Sequence, residues 1–572
     1  MNRGTRRLTG AATMVALAAT LTAGTLTGGA TGATAATGQT RDYLVFYADG
    51  AKDRALAAIK KDGGTTLSTE GKLGYVVARG PGTRFIESLA GSDAVAGVSS
   101  DREIGFAASD TATAPTRGSA SDIPAVKLPG GAEPLAGQQW DMKMIGATAT
   151  GSYATAPGSK KVLVGIIDTG VDGKHPDIAP NFNLALSRNF VTDRPNDSTG
   201  KTLDGPCEFP GCKDPADWDD DGHGTHVAST IGSPVNGLGI AGVAPGVSLV
   251  NLRAGQDSGL FFLKPSLDAL TYAADAGIDV VNMSYYVDPW LFNCASNPAD
   301  SKAEQLEQRG VITGMQRAID YARKRGVTLI SALGNGSTDL GKPTSDATSP
   351  DYPADSERVR KVDNSCINVP AESKGVISVS AVGPTTRKAY YSDYGNEQAD
   401  LAAPGGDEYD GGKKADVTRT VLAAAPEHVL RSQGMLSASG EPLSPSIIRD
   451  CLNGACAYYQ YLAGTSMASP HATGVAAILI SRFGKPGKGG VTMPPEDVQR
   501  LLYATATKKS CPSPRKYVYR MEGQEITQVC EGSKADNGFY GHGIVDAGEA
   551  AKVMPQGPAG SAAGPSHRKP VG

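Results

Sequence analysis

The sequence predicts an α/β fold, namely a doubly wound parallel sheet with helices on both faces, preceded by a small ferredoxin-like α+β unit. Two observations carry this prediction. Short apolar runs rich in β-branched residues alternate with segments of helical spacing, which is typical of parallel strands covered on both faces. Residues 42–105 follow the order β-α-β-β-α-β, which is the ferredoxin-like pattern.

The small unit begins with a predicted strand, "DYLVFY", followed by the helical segment "AKDRALAAIKKDGG", which should end at Gly63. The next strand and helix are "GYVVAR" and "TRFIESLAG", and "VAGVSSDREI" is the last strand. We expect these elements to form one compact domain over residues 42–105.

The large unit contains four predicted parallel strands: "KVLVGII" (161–167), "VSLVNL" (247–252), "IDVVNM" (278–283) and "VTLISA" (327–332). The segments "SLDALTYAADAG" and "GMQRAIDYARKRG" have helical spacing and end at glycine. In such sheets, ligand-handling residues lie just beyond the carboxyl ends of the strands.

The two ends of the chain and one internal segment differ from these units. Residues 1–35 have a basic start, a mildly apolar stretch and the small-residue site Ala33-Thr34-Ala35, which is the pattern of a secretory signal peptide. The pair Arg6-Arg7 is compatible with two export routes, the general secretory route and twin-arginine export, and the sequence does not choose between them. Residues 106–137 are predicted to be a linker that contains the maturation site, and 554–572 a flexible tail.

Charge and hydropathy limit the kinds of partner that the chain is expected to bind. The formal net charge is −4 and the sequence pI is about 6.0. Nothing in the sequence therefore indicates the clustered basic face with which proteins bind nucleic acid or a membrane surface. The amino-terminal stretch is too weakly apolar for a membrane anchor, and we expect a secreted, extracellular monomer with no membrane contact after export.

Eight cysteines suit an oxidising compartment. Pairing of near neighbours would give four disulfides, although eight cysteines allow about 105 connectivities and the sequence does not choose among them. The C-x4-C spacings, without a nearby C-x2-C or histidine pair, argue against a zinc site.

Polar residues follow the predicted strands. Asp168 follows the first strand, Ser284 the third, and Asn335 lies between two glycines after the fourth. His223 heads an apolar helix in "DDDGHGTHVASTIG". These positions would bring an acid, a base and an amide donor to one edge of the sheet.

Ser466 lies among very small residues, directly before an apolar helix, in "LAGTSMASPHATGVAAILIS". A nucleophilic serine needs small neighbours because the substrate carbonyl must approach within about 3 Å. At a helix start, free N–H groups and the helix dipole favour a developing oxyanion. Pro470 is compatible with this helix if it falls in the first turn.

These residues predict acyl transfer. His223 would take the proton of Ser466, Asp168 would orient and stabilise the imidazole, and Asn335 with the Ser466 amide would bind the oxyanion. Activity should rise as His223 loses its proton, near pH 6.5 to 7.

The motifs "GIIDTGVDGKHPD", "HGTHVAS", "GNG" and "GTSMASPHATG", and the order Asp168, His223, Ser466, resemble those of the subtilisin-like serine proteases, or subtilases. The resemblance implies a subtilisin-like catalytic domain over 138–553 that hydrolyses peptide bonds in proteins or peptides. It also implies that residues 42–105 are a propeptide, an intramolecular inhibitor and folding assistant that the enzyme removes itself.

The resemblance further implies substrate-binding edges and a structural calcium site. The substrate-binding residues would be Ser284, Gly334, Ser258 and Gly259. A carboxylate and a loop rich in carbonyl groups would hold the calcium, and the residues are Asp177, Asn236, Leu238 and Ile240.

Some features depart from the family pattern or leave alternatives open. Tyr285 and Tyr286 stand where small residues are usual beside the pocket for the first substrate residue. The acidic run 219–221 either favours a basic substrate residue near the scissile bond or is a solvated turn. An α/β-hydrolase esterase or a non-catalytic binding module are the rival functions; the order of the three residues and their joint presence argue against them.

Overall fold

The computed structural model describes residues 40–101 and 132–554. The predicted leader (1–35) lies outside the described residues, as do most of the predicted linker and tail. Residues 132–137, predicted to end the linker, lie against the large unit, where the Leu135 amide donates to the Gly239 carbonyl at 2.8 Å.

Residues 40–101 form a four-stranded antiparallel sheet of order β2-β3-β1-β4 with two helices on one face, as the ferredoxin-like pattern predicts. Tyr43 and Val45 point to these helices, whereas Leu44 and Phe46 point to the large unit. The elements are β1 (Thr40–Tyr47), α1 (Lys52–Lys61), β2 (Thr65–Glu70), β3 (Tyr75–Pro81), α2 (Gly82–Leu89) and β4 (Val95–Asp101).

Residues 132–554 contain the remaining strands and helices. In chain order they are α3 (Trp140–Met144), β5 (Leu163–Ile167), β6 (Arg188–Asn189), α4 (His223–Gly232), β7 (Ser248–Arg253), α5 (Leu263–Ala276), β8 (Val280–Met283), β9 (Asn293–Cys294), α6 (Lys302–Lys324), β10 (Thr328–Ala332), β11 (Ser345–Ser349), β12 (Arg358–Lys361), β13 (Cys366–Ile367), β14 (Ile377–Val382), β15 (Leu401–Pro404), β16 (Val421–Ala424), α7 (Glu427–Ser432), β17 (Ile447–Leu452), β18 (Ala455–Leu462), α8 (Thr465–Phe483), β19 (Lys485–Gly487), β20 (Gly490–Thr492), α9 (Pro495–Thr505), β21 (Lys516–Met521), β22 (Gln524–Val529) and α10 (Ala547–Lys552).

The central sheet has seven parallel strands in the order β15-β14-β10-β8-β5-β7-β6. Alternate residues of β5 serve opposite faces: Val164 and Ile166 share a core with α8, and Leu163 and Ile167 share one with α5 and α6. Burial on both faces explains why these strands are continuously apolar rather than alternating. The predicted doubly wound sheet is confirmed.

Smaller sheets and four disulfides lie outside the central sheet. The bonds join Cys207 to Cys212, Cys294 to Cys366, Cys451 to Cys456, and Cys511 to Cys530. Three of them join near neighbours, as local pairing predicts, and the bond between Cys294 and Cys366 joins the two cysteines that local pairing leaves over. None of the helices that the structure describes combines the length and apolarity needed to span a bilayer.

Candidate active site

Three adjacent strands of the central sheet present polar residues at one edge. Strands β10, β8 and β5 are neighbours and run parallel, so their carboxyl ends meet. Asp168 follows β5 directly, Ser284 follows β8, and Asn335 is the third residue after β10. The sheet therefore brings together residues that are far apart in the chain.

Asp168 and His223 are in direct polar contact at this edge. The His223 Nδ1 atom lies 2.7 Å from Asp168 Oδ1, which also accepts from the Thr169 amide at 2.8 Å. The Asp168 side chain is fully buried, whereas that of His223 is 25% exposed. The carboxylate therefore fixes one ring nitrogen and leaves Nε2 directed away from it.

Gly224 permits this approach of α4 to the sheet. A Cβ atom at Gly224 would lie 2.0 Å from the Gly170 carbonyl oxygen and 3.0 Å from Asp168 Cβ. Any side chain there would push His223 away from Asp168, because backbone atoms cannot yield as a flexible side chain can.

The electrostatic surroundings favour the protonated form of His223. Burial lowers the pKa of His223, but the charge of Asp168, the hydrogen bond to it, and the charges of Asp221 and Asp219 raise it to about 9. The sequence predicted that His223 loses its proton near pH 6.5 to 7, whereas its surroundings in the structure give it a higher pKa. The neighbouring carboxylates, which a reference value ignores, cause the difference.

Ser466 is the second residue of α8, and most of its neighbours are buried. Its hydroxyl donates to the Ser284 carbonyl at 3.3 Å, and not to His223. Within the described chain, the Ser466 amide has no protein acceptor. An N–H group at a helix start therefore faces the site, together with the positive end of the helix dipole.

Asn335 lies beside that amide in a fixed orientation. Its Oδ1 accepts from both the amide and the hydroxyl of Thr465, each at 2.9 Å, so its NH₂ group points the other way. A Cβ atom at Gly464 would lie 3.6 Å from both Asn335 Nδ2 and the Ser466 nitrogen. The missing side chain of Gly464 thus leaves a cradle in front of two hydrogen-bond donors.

Pro470 lies inside α8 and not in its first turn, contrary to the sequence-based prediction. Its lack of an N–H would leave the Ser466 carbonyl without a helical donor. The Ser284 hydroxyl takes that place, donating to the Ser466 carbonyl at 3.1 Å, and itself accepts from Asn282 Nδ2 at 2.9 Å. Strand β8 therefore anchors the first turn of the helix that carries Ser466.

The structure brings two of the four predicted substrate-binding residues next to Ser466. Ser284 contacts it through two hydrogen bonds, and the Gly334 amide donates to the Thr465 hydroxyl at 3.1 Å. The amides of the other two have acceptors within the chain. The Ser258 amide donates to Asp204 at 3.1 Å and the Gly259 amide to the Gln256 carbonyl at 2.9 Å. These bonds hold the two residues in a turn.

The two tyrosines that depart from the family pattern are engaged elsewhere. The ring of Tyr285 stacks on Phe261 with centroids 4.3 Å apart. The Tyr286 hydroxyl donates to Asp351 at 2.6 Å. Each of the two tyrosine side chains is therefore fixed by a defined contact.

The residues of the predicted calcium site come together around Asp177, whose carboxylate accepts hydrogen bonds from the chain. Asp177 is fully buried; its Oδ1 accepts from Asn236 Nδ2, and its Oδ2 accepts from the Ile240 amide and the Tyr459 hydroxyl, each at 3.1 Å. The Leu238 amide donates to Asn236 Oδ1 at 2.9 Å, which fixes the orientation of the Asn236 side chain. A calcium ion needs six to eight oxygen ligands. In this arrangement hydrogen-bond donors of the chain face both oxygens of Asp177.

Neighbouring carboxylates hold the same loop through its amides. Glu133 accepts from the Gly237 amide at 2.9 Å and Asp450 from the Gly239 amide at 2.8 Å. A separate acidic cluster, Asp193, Asp214 and Asp257, surrounds the buried guanidinium of Arg253. An arginine thus provides the positive charge in that cluster.

The sequence did not reveal the roles that several of these residues have in the site. Thr465 orients the Asn335 side chain, and Gly464 leaves space for the cradle. The charge of Asp221 raises the pKa of His223, and the Tyr459 hydroxyl donates to Asp177. The motif around Ser466 contains Gly464 and Thr465, so their position was a usable signal. No sequence signal pointed to Tyr459, because its contact with Asp177 depends on how a hairpin that is distant in the chain packs.

Residues 159–543 match the family model described as the subtilase family. Among curated proteins, the thermophilic serine proteinase of Bacillus sp. (strain AK1) is 27% identical over 360 residues, which is 63% of this chain and 60% of that protein. Fervidolysin of Fervidobacterium pennivorans is 27% identical over 383 residues, which is 65% of this chain and 41% of fervidolysin. The chain thus spans less than two thirds of the length of either relative.

A solved structure supports the fold. The epidermin leader peptide processing serine protease (EpiP) of Staphylococcus aureus superposes with a TM-score of 0.56 at 21% identity, covering 91% of this chain and 100% of that one. The likeness concerns the arrangement of strands and helices.

Proposed function

Because the chain belongs to the subtilase family, we propose that it is a secreted serine endopeptidase, made as a zymogen that removes its own amino-terminal unit. The observation that carries this proposal is the 2.7 Å contact between His223 Nδ1 and Asp168 Oδ1 at the sheet edge that also holds Ser466 and Asn335. Protein or peptide substrates follow from this chemistry.

In the proposed mechanism, His223 acts as the general base. The Ser466 hydroxyl turns about its Cα–Cβ bond from the Ser284 carbonyl towards Nε2, gives up its proton there, and attacks the substrate carbonyl carbon. Asp168 keeps the proton on Nδ1, so that Nε2 is the free base, and it stabilises the imidazolium that forms.

The oxyanion of the tetrahedral intermediate would occupy the cradle beside Gly464. The Ser466 amide and Asn335 Nδ2 would donate to it. The imidazolium then protonates the leaving amine, which departs and leaves an acyl group on Ser466. Water enters, His223 takes its proton, and hydrolysis of the acyl-enzyme restores the serine.

The small unit supports the zymogen proposal through its contact with α6. A Cβ atom at Gly97 of β4 would lie 2.4 Å from the Gly310 nitrogen, so the two backbones touch. Arg317 donates to the carbonyls of Gly74 at 2.8 Å and Tyr47 at 2.9 Å. The secretory pattern of residues 1–35 supports export before this unit is removed.

Fluorophosphonate labelling together with casein hydrolysis tests the proposal. Wild type should be labelled and should cleave casein, and Ser466→Ala should do neither. Labelling without proteolysis would favour an esterase, and loss of both signals in folded wild type would favour a binding module.

A further inference from the structure

The loop after β10 (residues 333–339) carries Asn335 between two glycines, and the Asp393 carboxylate packs against both of them. A Cβ atom at Gly334, which has a positive φ of 124°, would lie 2.2 Å from Asp393 Oδ2. A Cβ atom at Gly336 would lie 3.2 Å from Asp393 Oδ1. The absence of side chains at these two positions therefore lets the carboxylate reach the backbone on either side of Asn335.

Asp393 and the residue after it also form hydrogen bonds with the backbone of this loop. Asp393 Oδ1 accepts from the Thr338 amide at 2.7 Å, and the Asp393 amide donates to the Gly334 carbonyl at 2.9 Å. The Tyr394 amide donates to the Thr338 carbonyl at 3.0 Å. A short segment between β14 and β15 thus holds the loop both before and after Asn335.

The side chain of Asn335 has a different anchor, which is Thr465. Asn335 Oδ1 accepts from the amide and the hydroxyl of Thr465, each at 2.9 Å, and the Gly334 amide donates to the same hydroxyl at 3.1 Å. Thr465 therefore fixes the rotation of the Asn335 side chain, whereas Asp393 fixes the backbone from which that side chain extends.

The direct partners of the Asp393 carboxylate are amides and not a cation. Asp393 is buried, and it forms no salt bridge with any residue in the described part of the chain. Burial raises the pKa of Asp393 to about 7, and the Thr338 amide, the charge of the buried Lys388 and the Gly336 amide oppose this increase. Loss of the carboxylate would therefore release loop amides rather than break an ion pair.

We propose that Asp393 is a positioning residue for the oxyanion donor Asn335. This inference rests on the proposed function. By holding the backbone of residues 334–338, Asp393 sets the point from which Asn335 Nδ2 reaches the cradle beside Gly464. A hydrogen-bond donor stabilises the oxyanion only at the right distance and angle, so a small shift of the loop removes most of its effect. Asp393 is buried behind the loop and acts on the reaction through Asn335.

The test compares kcat and KM of the mature variants with the p-nitroanilide of Ala-Ala-Ala-Phe. Affinity-tagged wild type removes the amino-terminal unit from each variant and is then withdrawn on its tag, and Ser466→Ala treated in the same way gives the background. Asp393→Ala should lower kcat on the order of 10²-fold, the scale of losing one oxyanion donor, and should change KM less than about threefold.

A double-mutant cycle with Asn335→Ala separates positioning from general damage to the fold. Asn335→Ala alone should lower kcat by about 10²–10³-fold. Because Asp393 acts through Asn335, adding Asp393→Ala should lower kcat less than about threefold further. A purely structural role for Asp393 would instead lower activity by the same factor in both backgrounds.

Asp393→Asn is the conservative variant, and it replaces Asp393→Ala in the cycle if the alanine variant does not fold. It keeps one acceptor oxygen for the Thr338 amide and replaces the other oxygen with a donor. It should lower kcat about tenfold, the scale of one hydrogen bond, and only when Asn335 is present.

Asp279→Ala is the matched control at a second buried acid. Asp279 accepts from the Leu163 amide at 2.8 Å, but it lies directly before β8, at the edge of the sheet opposite to Asn335. Asp279→Ala should lower the melting temperature and leave kcat within about twofold of wild type.

Two results would overturn the inference and leave the endopeptidase function standing. One is an unchanged kcat in folded Asp393→Ala, or in folded Asp393→Asn if that variant replaces it. The other is an equal loss of kcat with and without Asn335. Failure of folded wild type to cleave the peptide would overturn both the inference and the proposed function.

Discussion

The Ser284 hydroxyl donates a hydrogen bond to the Ser466 carbonyl at 3.1 Å, at the position where Pro470 removes the helical donor. This contact couples the end of a central strand to the helix that carries the proposed nucleophile. It gives Ser284 a role in positioning Ser466, in addition to the substrate-binding role that the sequence predicts.

Ser284→Ala should lower the free energy of unfolding by about 1–3 kcal/mol, because it leaves the part-buried Ser466 carbonyl without a donor. Pro470→Ala would return a helical N–H to that carbonyl. The double variant should therefore be more stable than the sum of the two single effects predicts, as measured by denaturant unfolding in a double-mutant cycle. Strict additivity would mean that the hydroxyl and the proline act independently.

The acid limb of kcat/KM should have an apparent pKa near 9, since His223 must be neutral to accept the serine proton and its surroundings hold its pKa at about 9. Asp221→Asn removes one of the charges that raise this pKa and should shift the limb to lower pH. Steady-state rates from pH 5 to 10 measure both. A wild-type limb at pH 6 to 7 would contradict the assigned surroundings of His223.

Gly464→Ala should abolish most activity without unfolding the protein. Gly464 has φ 165°, an extended conformation open to any residue, and the added methyl group would lie 3.6 Å from both oxyanion donors. We expect a loss of about 10²–10³ in kcat, the magnitude known for loss of one oxyanion donor in subtilisin.

The control for Gly464→Ala is Gly412→Ala, an exposed glycine whose added methyl group would meet only Lys414 backbone atoms, at 3.9 and 4.0 Å. Its kcat should equal that of wild type. Unchanged kcat in Gly464→Ala itself would place the oxyanion elsewhere.

Chelation should not lower the melting temperature through the loop at 236–240, because hydrogen-bond donors already occupy both oxygens of Asp177. Tyr459→Phe removes one of these donors from a buried carboxylate and should cost about 1–3 kcal/mol. Thermal unfolding with EDTA and with added calcium checks both. A melting temperature that falls in EDTA in wild type, but not in Asp177→Asn, would show that calcium binds there after all.

Self-processing predicts that the secreted Ser466→Ala variant keeps its amino-terminal unit. Wild type should lose it by a cut between about residues 105 and 138, which the intact mass of each protein reports. A wild-type mass equal to that of Ser466→Ala would rule out removal by Ser466.

The strands of the central sheet could be predicted because burial on both faces imposes a continuous apolar pattern, as in β5 (Leu163–Ile167). The placement of Asp168, Ser284 and Asn335 at one edge followed from the shared direction of parallel strands. The strand order itself could not be predicted, because it depends on contacts between residues far apart in the chain.

The details that the sequence did not reveal arise from packing between distant segments. Three hydrogen bonds are examples, and each joins segments that are far apart in the chain. They run from the Ser284 hydroxyl to the Ser466 carbonyl, from the Tyr459 hydroxyl to Asp177, and from the Ser258 amide to Asp204. The pKa of His223 depends likewise on carboxylates whose distances are set by the folded chain. Motifs identify the reacting groups, but they do not give the surroundings that tune those groups.

The most direct test locates a fluorophosphonate adduct in the mature protein by peptide mass mapping and compares the labelling rate with that of His223→Ala. The account predicts one adduct, on Ser466, and a rate at least about 10²-fold lower without the imidazole base. An adduct on another residue, or equal labelling of the histidine variant, would contradict it.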